Sequence, residues 1–154
     1  MTHTHFLKSQ IQINKPISEV FHFFSKAENL NLLTPPELNF KIVTPLPIVL
    51  TCGAVIDYRI QLSGFPFSWK TEITSWNPPY QFVDTQLQGP YETWIHEHRF
   101  ESKDNCTIMH DLVEYRAKGW IFELLIQRFF VAKRVKEIFE YRTLQIDRLF
   151  NGFK

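Results

Sequence analysis

Cysteine and glycine are scarce in this sequence, and each shortage removes a class of site from consideration. The 154 residues include two cysteines, Cys52 and Cys106, whose wide separation predicts neither a disulfide framework nor a cysteine metal motif. The five glycines form no glycine-rich phosphate loop, and no G-x-S-x-G motif provides a serine nucleophile. Two reduced cysteines fit a cytoplasmic protein, and we predict that location.

Long apolar runs are missing as well. The first ten residues, MTHTHFLKSQ, lack a basic region followed by an apolar one, so no signal peptide is expected. No window reaches the roughly 18 to 20 apolar residues that a bilayer-spanning helix needs. We therefore predict no stable insertion into a membrane.

The excess of charge of either sign is small, since the formal net charge is +1. Its distribution is uneven, because residues 116–154 hold nine lysines and arginines against four acidic residues. A solvated helix face explains this bias and is favoured over an anionic surface or ligand. No nucleic-acid partner is predicted.

Aromatic residues are abundant by contrast. They make up 16% of the chain, and 15 residues are phenylalanine. Bulky rings fill or line wide interiors, so a roomy core is expected. The length suits one substantial core, and we predict a single domain over residues 1–154.

The first part of the chain predicts a strand followed by two short helices. Residues 4–13 alternate imperfectly between apolar and polar positions, as a strand does. A helix is expected after Pro16, with Ser18 or Asn14 as its cap, and a second short helix over residues 28–33.

The remainder predicts strands and then one long helix. Strands are expected at residues 38–43, 54–62, 67–76, 81–88, 91–101 and 106–116. Short turns between the last five predict an antiparallel meander. After Gly119 a helical period continues to about Phe150 without proline or glycine. The sheet must curve around this helix to bury both apolar faces.

One strand carries an unusual combination of side chains. In GPYETWIHEHRF, residues 89–100, every second position from Trp94 to Phe100 is aromatic or histidine. Alternate residues of a strand share a face, so Trp94, His96, His98 and Phe100 point the same way. The opposite face is mostly polar and suits solvent. We therefore expect both histidines to face the interior.

A turn centred on Gly89 and Pro90 fixes the register of the hairpin that contains these histidines. It places Gln86 opposite Trp94, Asp84 opposite His96 and Phe82 opposite His98. The Asp84–His96 pair can fix the tautomer or raise the pKa of the histidine. Extending the inward parity adds Tyr58, Ile60, Leu62, Trp69, Thr71, Ile73, Met109, Asp111, Val113 and Tyr115.

The order of elements resembles the helix-grip fold of the START-like, or SRPBCC, superfamily. The amino-acid sequence resembles that of small bacterial ligand-binding members in five stretches: ENLNLLTPPELNFKIV, FSWKTEITSWNPPYQFVD, GPYETWIHEHRF, HDLVEYRAKG and RVKEIFEYR. The resemblance implies an α+β fold in which a curved antiparallel sheet of about six or seven strands wraps around a long C-terminal helix. It also implies a cavity between sheet and helix that binds a hydrophobic small molecule, without implying one reaction.

The predicted function is therefore binding of a hydrophobic ligand that is lipid-like, polyketide-like or aromatic. Its binding residues are predicted to be Tyr58, Trp69, Thr71, Phe82, Asp84, Gln86, Trp94, His96, His98, Asp111, Tyr115 and Phe122. No cofactor is predicted, and the protein is expected to be a monomer or weak homodimer. The inward polar groups form either a structural network or a set that orients ligand.

Two other functions remain as alternatives. The first is a cyclase-like or dehydratase-like enzyme in which His96, held by Asp84, acts as general base. The second is a lipid-handling, membrane-contacting or protein-interaction module that uses the apolar start of the long helix, including Trp120 and Phe122. A metal site is not predicted, although two histidines with Asp84 or Asp111 offer suitable ligand types.

Overall fold

Seven strands pair into one antiparallel sheet in the computed structural model, which describes residues 3–62, 64–119 and 127–152. For residues 127–130 the description is limited to the backbone. The strands are β1 (His5–Ile13), β2 (Lys41–Ile42), β3 (Val55–Leu62), β4 (Phe65–Asn77), β5 (Gln81–Gln88), β6 (Tyr91–Lys103) and β7 (Cys106–Ala117). The helices are α1 (Ile17–Phe24) and α2 (Gln127–Ile146), with 3-10 helices at Ala27–Leu33 and Pro36–Leu38 and a π-helical turn at Asp147–Asn151.

The sheet order is β1-β7-β6-β5-β4-β3-β2. Strands β3 to β7 follow one another as the predicted meander, because each connection is a short turn. Strand β1 then pairs with the last strand, with His5 opposite Tyr115 and Ile13 opposite Thr107. The predicted α+β arrangement is confirmed.

Helix α1 begins differently from the sequence prediction. Pro16 occupies the cap position in an extended conformation, and no side chain caps the helix. The carbonyl of Pro16 accepts hydrogen bonds from the backbone of Glu19 and Val20. The side-chain oxygen of Asn14, an expected cap, instead accepts from the side chains of Gln12 and Cys106. Asn14 lies too far from the helix start to cap it.

The second strand is much shorter than expected. Residues 38–43 were predicted to be extended, but pairing is limited to Lys41–Ile42. The preceding residues instead form the 3-10 helix Pro36–Leu38, which ends at Asn39 in a left-handed conformation with φ of 45°. The second short helix expected over residues 28–33 is present as the 3-10 helix Ala27–Leu33. The inner side of this 3-10 helix lines an internal cavity.

Helix α2 buries one stripe of side chains against the sheet. The stripe comprises Val135, Phe139, Arg142 and Ile146, spaced three or four residues apart. Trp120 and Phe122, which the sequence placed at the start of this helix, lie outside the described residues. In the ranges that the structure describes, no helix combines the length and the apolar character needed to cross a membrane.

A β-bulge bends the sheet next to Asp84. Ile73 of β4 pairs with Asp84, but Ser75 pairs with Val83, so Thr74 is the extra residue. Bulges increase the local twist and bend the strand that carries them. The inward parity of β5 is nevertheless the predicted one, since Phe82 is 5% exposed whereas Leu87 is 52% exposed.

Candidate functional site

A layer of polar side chains crosses the interior between two apolar clusters. On β6, Trp94 packs with one cluster and Phe100 belongs to the other, and the two histidines lie between them in sequence. Along α2, Arg142 likewise falls between Phe139 and Ile146. We call this set the polar layer, and it consists of Asp84, His96, His98, Asp111 and Arg142.

Strand pairing brings the acids and histidines of the polar layer together in a crossed pattern. As predicted, Asp84 on β5 lies opposite His96 on β6. Asp111 on β7 lies opposite His98 on β6. Each short hydrogen bond nevertheless runs diagonally. Nε2 of His98 lies 2.7 Å from Asp84 Oδ2, and Nε2 of His96 lies 2.7 Å from Asp111 Oδ1.

This pattern corrects the expectation that Asp84 holds His96. Nδ1 of His96 lies 3.6 Å from Asp84 Oδ2, beyond hydrogen-bond distance. Diagonal neighbours across a sheet lie within reach of long side chains, so register alone does not fix the partner. The two rings also pack together, with centroids 3.7 Å apart.

Arg142 completes the polar layer from the helix side. Its Nε lies 3.4 Å from Asp111 Oδ2, and its Nη2 lies 3.4 Å from His98 Nδ1. The guanidinium carbon also lies 5.3 Å from the centre of the Phe24 ring. The buried arginine therefore points inward to Asp111 rather than outward to solvent.

Both acids of the polar layer are ionised at neutral pH. Burial by itself raises the pKa of each carboxyl group. In Asp111 the charge of Arg142 and the bond from His96 outweigh burial and hold the pKa well below the ordinary value of 3.8. In Asp84 the bond from His98 and the charges of the histidines lower the pKa in the same way.

The two histidines differ in their affinity for a proton. Burial lowers the pKa of His96, the charge of His98 lowers it further, and Asp111 offsets only part of this. Burial also lowers the pKa of His98, but bonds to both Asp111 and Asp84 outweigh it, so the pKa is raised. His98, which contacts both carboxylates, is therefore the more basic of the two rings.

The polar layer forms part of the wall of a cavity between the sheet, α2 and the 3-10 helix Ala27–Leu33. About 180 Å³ of this cavity is open to the centre of a water molecule. One buried water needs only about 10–15 Å³ by that measure, so a small organic molecule has room to enter. Asp84, His96, His98 and Arg142 line the cavity, while most of its remaining wall is apolar.

An aromatic wall stands beside the polar layer. The rings of Tyr58 and Trp69 stack with centroids 5.7 Å apart, and Trp94 meets Trp69 edge to face at 5.4 Å. Nε1 of Trp69 donates to Thr71 Oγ1 at 3.3 Å, which satisfies a buried polar group. Burial and the nearby charge of Asp84 raise the pKa of Tyr58 well above its ordinary value, so its hydroxyl stays protonated.

The structure brings most of the sequence-predicted residues to the cavity. Those that line it are Tyr58, Trp69, Thr71, Phe82, Asp84, Trp94, His96 and His98. Asp111 lies behind the histidines and contacts them. Tyr115 is buried and is not part of the lining, but its ring packs against Trp94, which is. Phe122 lies outside the described residues.

Gln86 is also absent from the described cavity lining. Its amide nitrogen donates to the backbone oxygen of Tyr91 at 2.7 Å, and its amide oxygen accepts from the backbone nitrogen of the same residue. A Cβ on Gly89 would collide with this amide, so a larger residue there would displace the Gln86 side chain. Gln86 therefore closes the turn of the hairpin rather than facing the cavity.

Sequence reasoning missed a group of cavity residues outside the meander. They are Lys26, Ala27, Asn29, Leu30, Leu33, Thr34, Leu38, Phe40, Ile138, Phe139 and Arg142. The helical spacing of Phe139 and Arg142 indicates an inward face, but it does not predict which residues of that face line a cavity. The 3-10 helix gives no periodic pattern that would have assigned an inner side.

Three groups of the polar layer have donor atoms of the kind that bind metals. One donor atom each from Asp84, His96 and His98 falls within a span of 4.8 Å. A metal ion there would have to displace the proton that joins His98 to Asp84 and would lie close to the Arg142 cation. Since His96 and His98 already bond to Asp111 and Asp84, we assign no metal to the layer.

Comparisons of sequence give no match, either to a family model or to a curated protein. Solved structures are similar in fold despite low identity. ZhuI aromatase/cyclase from Streptomyces sp. R1128 superposes with a TM-score of 0.74 at 13% identity, covering 96% of each chain. Norcoclaurine synthase from Thalictrum flavum, solved with dopamine and hydroxybenzaldehyde, superposes with a TM-score of 0.65 at 13% identity. The match covers 99% of this chain and 90% of the synthase chain.

A major latex-like protein from Panax ginseng gives a TM-score of 0.63 at 11% identity, over 96% of this chain and 97% of its own. These proteins differ in function but share a curved sheet that holds a C-terminal helix. The sequence-based resemblance is thereby confirmed at the level of the fold. The chain has the helix-grip fold, a curved antiparallel sheet around a C-terminal helix.

Proposed function

We propose that residues 1–154 form one domain that binds a hydrophobic small molecule in the cavity between the sheet and α2. The observation that carries this proposal is the cavity itself, which is apolar over most of its wall and polar at one layer. Such a combination suits a ligand whose apolar body needs space and whose few polar atoms need orientation. Trp69, Phe82 and Trp94 would supply most of the apolar contact.

A ring-shaped ligand fits this wall better than a flexible chain. Stacked and edge-to-face aromatic side chains complement flat ring systems. Among proteins of the same fold, one is an aromatase/cyclase and another was solved with dopamine and hydroxybenzaldehyde. These similarities support an aromatic or polyketide-like ligand without identifying it.

A fluorescence titration tests the proposal. N-phenyl-1-naphthylamine, a neutral dye that brightens in apolar surroundings, is expected to bind the wild-type protein. Ala27→Trp places a large ring on the cavity wall and should weaken dye binding by about tenfold or more. Leu32→Trp is the matched control, because Leu32 lies on the same 3-10 helix and is 49% exposed.

The binding proposal fails if the dye does not bind, or if both variants bind it equally well. Circular dichroism spectra of the two variants should match the wild type, which separates filling of the cavity from unfolding. Leu30→Trp, another substitution on the cavity wall, replaces Ala27→Trp if that variant is unfolded.

A second candidate function, acid–base catalysis, is favoured by one specific observation. Asp111 accepts the Nε2 proton of His96 and leaves the other ring nitrogen without a bonded proton. A histidine oriented by a carboxylate can act as general base toward an acidic carbon–hydrogen bond. In this version Asp111, rather than Asp84, is the residue that positions His96.

The two functions make different predictions for His96→Ala. If the protein only binds ligand, the variant weakens binding and there is no turnover to lose. If it is a cyclase or dehydratase, binding largely survives while turnover falls by about a hundredfold or more. The cytoplasmic location, the monomeric or weakly dimeric state and the lipid-handling alternative stay predictions from the sequence.

A further inference from the structure

Two hydrogen-bond acceptors stand side by side in the cavity wall without a proton between them. His96 donates from Nε2 to Asp111 at 2.7 Å, so the neutral ring has a lone pair on Nδ1. That nitrogen lies 3.6 Å from Asp84 Oδ2. Among the described residues, no hydrogen-bond donor contacts His96 Nδ1.

The neutral form of His96 is the stable one in these surroundings. Burial lowers its pKa, and the protonated neighbour His98 lowers it further. The proton of His98 is already directed to Asp84, with Nε2 and Oδ2 2.7 Å apart. The cluster therefore cannot supply a proton to the gap between Asp84 and His96 without disrupting another bond.

Both acceptor groups are accessible from the cavity. Asp84 and His96 line it, and their side chains are 19% and 8% exposed. Around them the wall is apolar, since Phe82 stacks on His98 at 4.0 Å and Phe139 packs edge to face on His96 at 5.3 Å. A polar group that enters meets these two acceptors among mostly apolar side chains, with Tyr58 and Thr71 as further polar groups of the wall.

The charge of the site selects against anions. Asp84 is ionised and faces the cavity, so a carboxylate nearby is repelled. Arg142 also lines the cavity, but its charge is already balanced by Asp111 at 3.4 Å and covered by the Phe24 ring. Apart from Lys26, which also lines the cavity, a fatty acid or other anion would therefore find no free cation among the described lining residues.

We propose that the ligand is a neutral hydrophobic compound with a hydroxyl group, and that this hydroxyl donates its proton between Asp84 Oδ2 and His96 Nδ1. This inference rests on the proposed binding function and narrows it to phenols, enols and alcohols. A hydroxyl fills the gap with the donor that the cluster lacks. An ether, which has only an acceptor, leaves both protein acceptors without a partner.

Three naphthalene compounds of the same size test this specificity. The hydroxyl compound 2-naphthol, its methyl ether 2-methoxynaphthalene and the anion 2-naphthoate are titrated at neutral pH by calorimetry. We expect 2-naphthol to bind at least about tenfold more tightly than the ether, because a site built for a hydroxyl rejects analogues that lack the donor. The naphthoate should bind most weakly.

Two variants locate the effect at the proposed atoms. Asp84→Asn removes the negative charge and leaves only a weaker amide oxygen to accept beside His96, because His98 Nε2 donates to that position, so it should reduce the preference for 2-naphthol over the ether. Asp57→Asn is the control, because Asp57 forms an exposed ion pair with Lys70 on the same sheet and does not line the cavity. It should leave all three affinities unchanged.

Equal binding of the naphthol and the ether by the wild type overturns the hydroxyl inference and leaves the binding function standing. Tighter binding of the naphthoate also overturns the inference. If none of the three compounds binds, the proposed binding function fails together with the inference. The wild-type comparison decides the matter even if Asp84→Asn does not fold.

Discussion

Arg142 on α2 and Asp111 on β7 form a buried ion pair, with Nε 3.4 Å from Oδ2. Their side chains are 6% and 3% exposed, so both charges are largely shielded from bulk water. The pair links the long helix to the sheet at the level of the cavity. Several consequences of this arrangement can be measured.

Loss of the Asp111 charge should destabilise the fold strongly. In Asp111→Asn the buried guanidinium of Arg142 loses its counter-charge, and we expect the free energy of unfolding to fall by about 3–5 kcal/mol. Urea denaturation at neutral pH measures this change. For Asp57→Asn, which breaks an exposed ion pair, the expected loss is less than about 1 kcal/mol. Similar losses in the two variants would contradict the account.

The histidines should give opposite dependences of stability on pH. The pKa of His98 is raised by folding. Its contribution to stability is therefore full below the pKa of the unfolded state, about 6.5, and is lost as pH rises through the pKa of the folded state. The advantage of the wild type over His98→Gln should therefore shrink as pH rises from about 6 to 9.

For His96 the sign is reversed. Its pKa is lowered by folding. Its contribution to stability is therefore present above the pKa of the unfolded state, about 6.5, and is lost as pH falls through the pKa of the folded state. The advantage of the wild type over His96→Gln should shrink as pH falls from about 7 to 5. Parallel pH profiles for the two variants, measured by thermal unfolding, would disprove the assigned difference.

The tautomer of His96 is itself observable. At neutral pH, long-range proton–nitrogen NMR correlation spectra should show His96 as a neutral ring with its proton on Nε2, and His98 as the more protonated of the two rings. The reasons are the 2.7 Å bond from His96 to Asp111 and the contacts of His98 with both acids. A proton on Nδ1 of His96 would remove the acceptor on which the hydroxyl inference depends.

Much of this arrangement follows from periodicity and turn chemistry. The two-residue alternation in β6 placed His96 and His98 on the inner face, and the turn at Gly89 set Asp84 opposite His96. Both are local properties, because side chains alternate along a strand and the turn fixes the register. The order of the strands and the final helix followed in the same way.

Other features depend on distances that the sequence does not encode locally. Asp84 bonds to His98 rather than to the facing His96 because Asp111, from the neighbouring strand, takes the Nε2 proton of His96. This choice depends on side-chain torsions in three strands at once. The bulge at Thr74 and the path of the 3-10 helix Ala27–Leu33 likewise set the shape of the cavity. Such packing gives no periodic signal.

The most direct test of the central claim is native mass spectrometry of the purified protein, followed by denaturation and extraction of small molecules. The account predicts either a copurified, noncovalently bound neutral compound that denaturation releases or, for protein purified empty, a one-to-one complex after incubation with 2-naphthol. Ala27→Trp should lose either complex, and Leu32→Trp should keep it. An empty protein that also forms no complex with 2-naphthol would contradict the claim that this cavity binds a hydrophobic ligand.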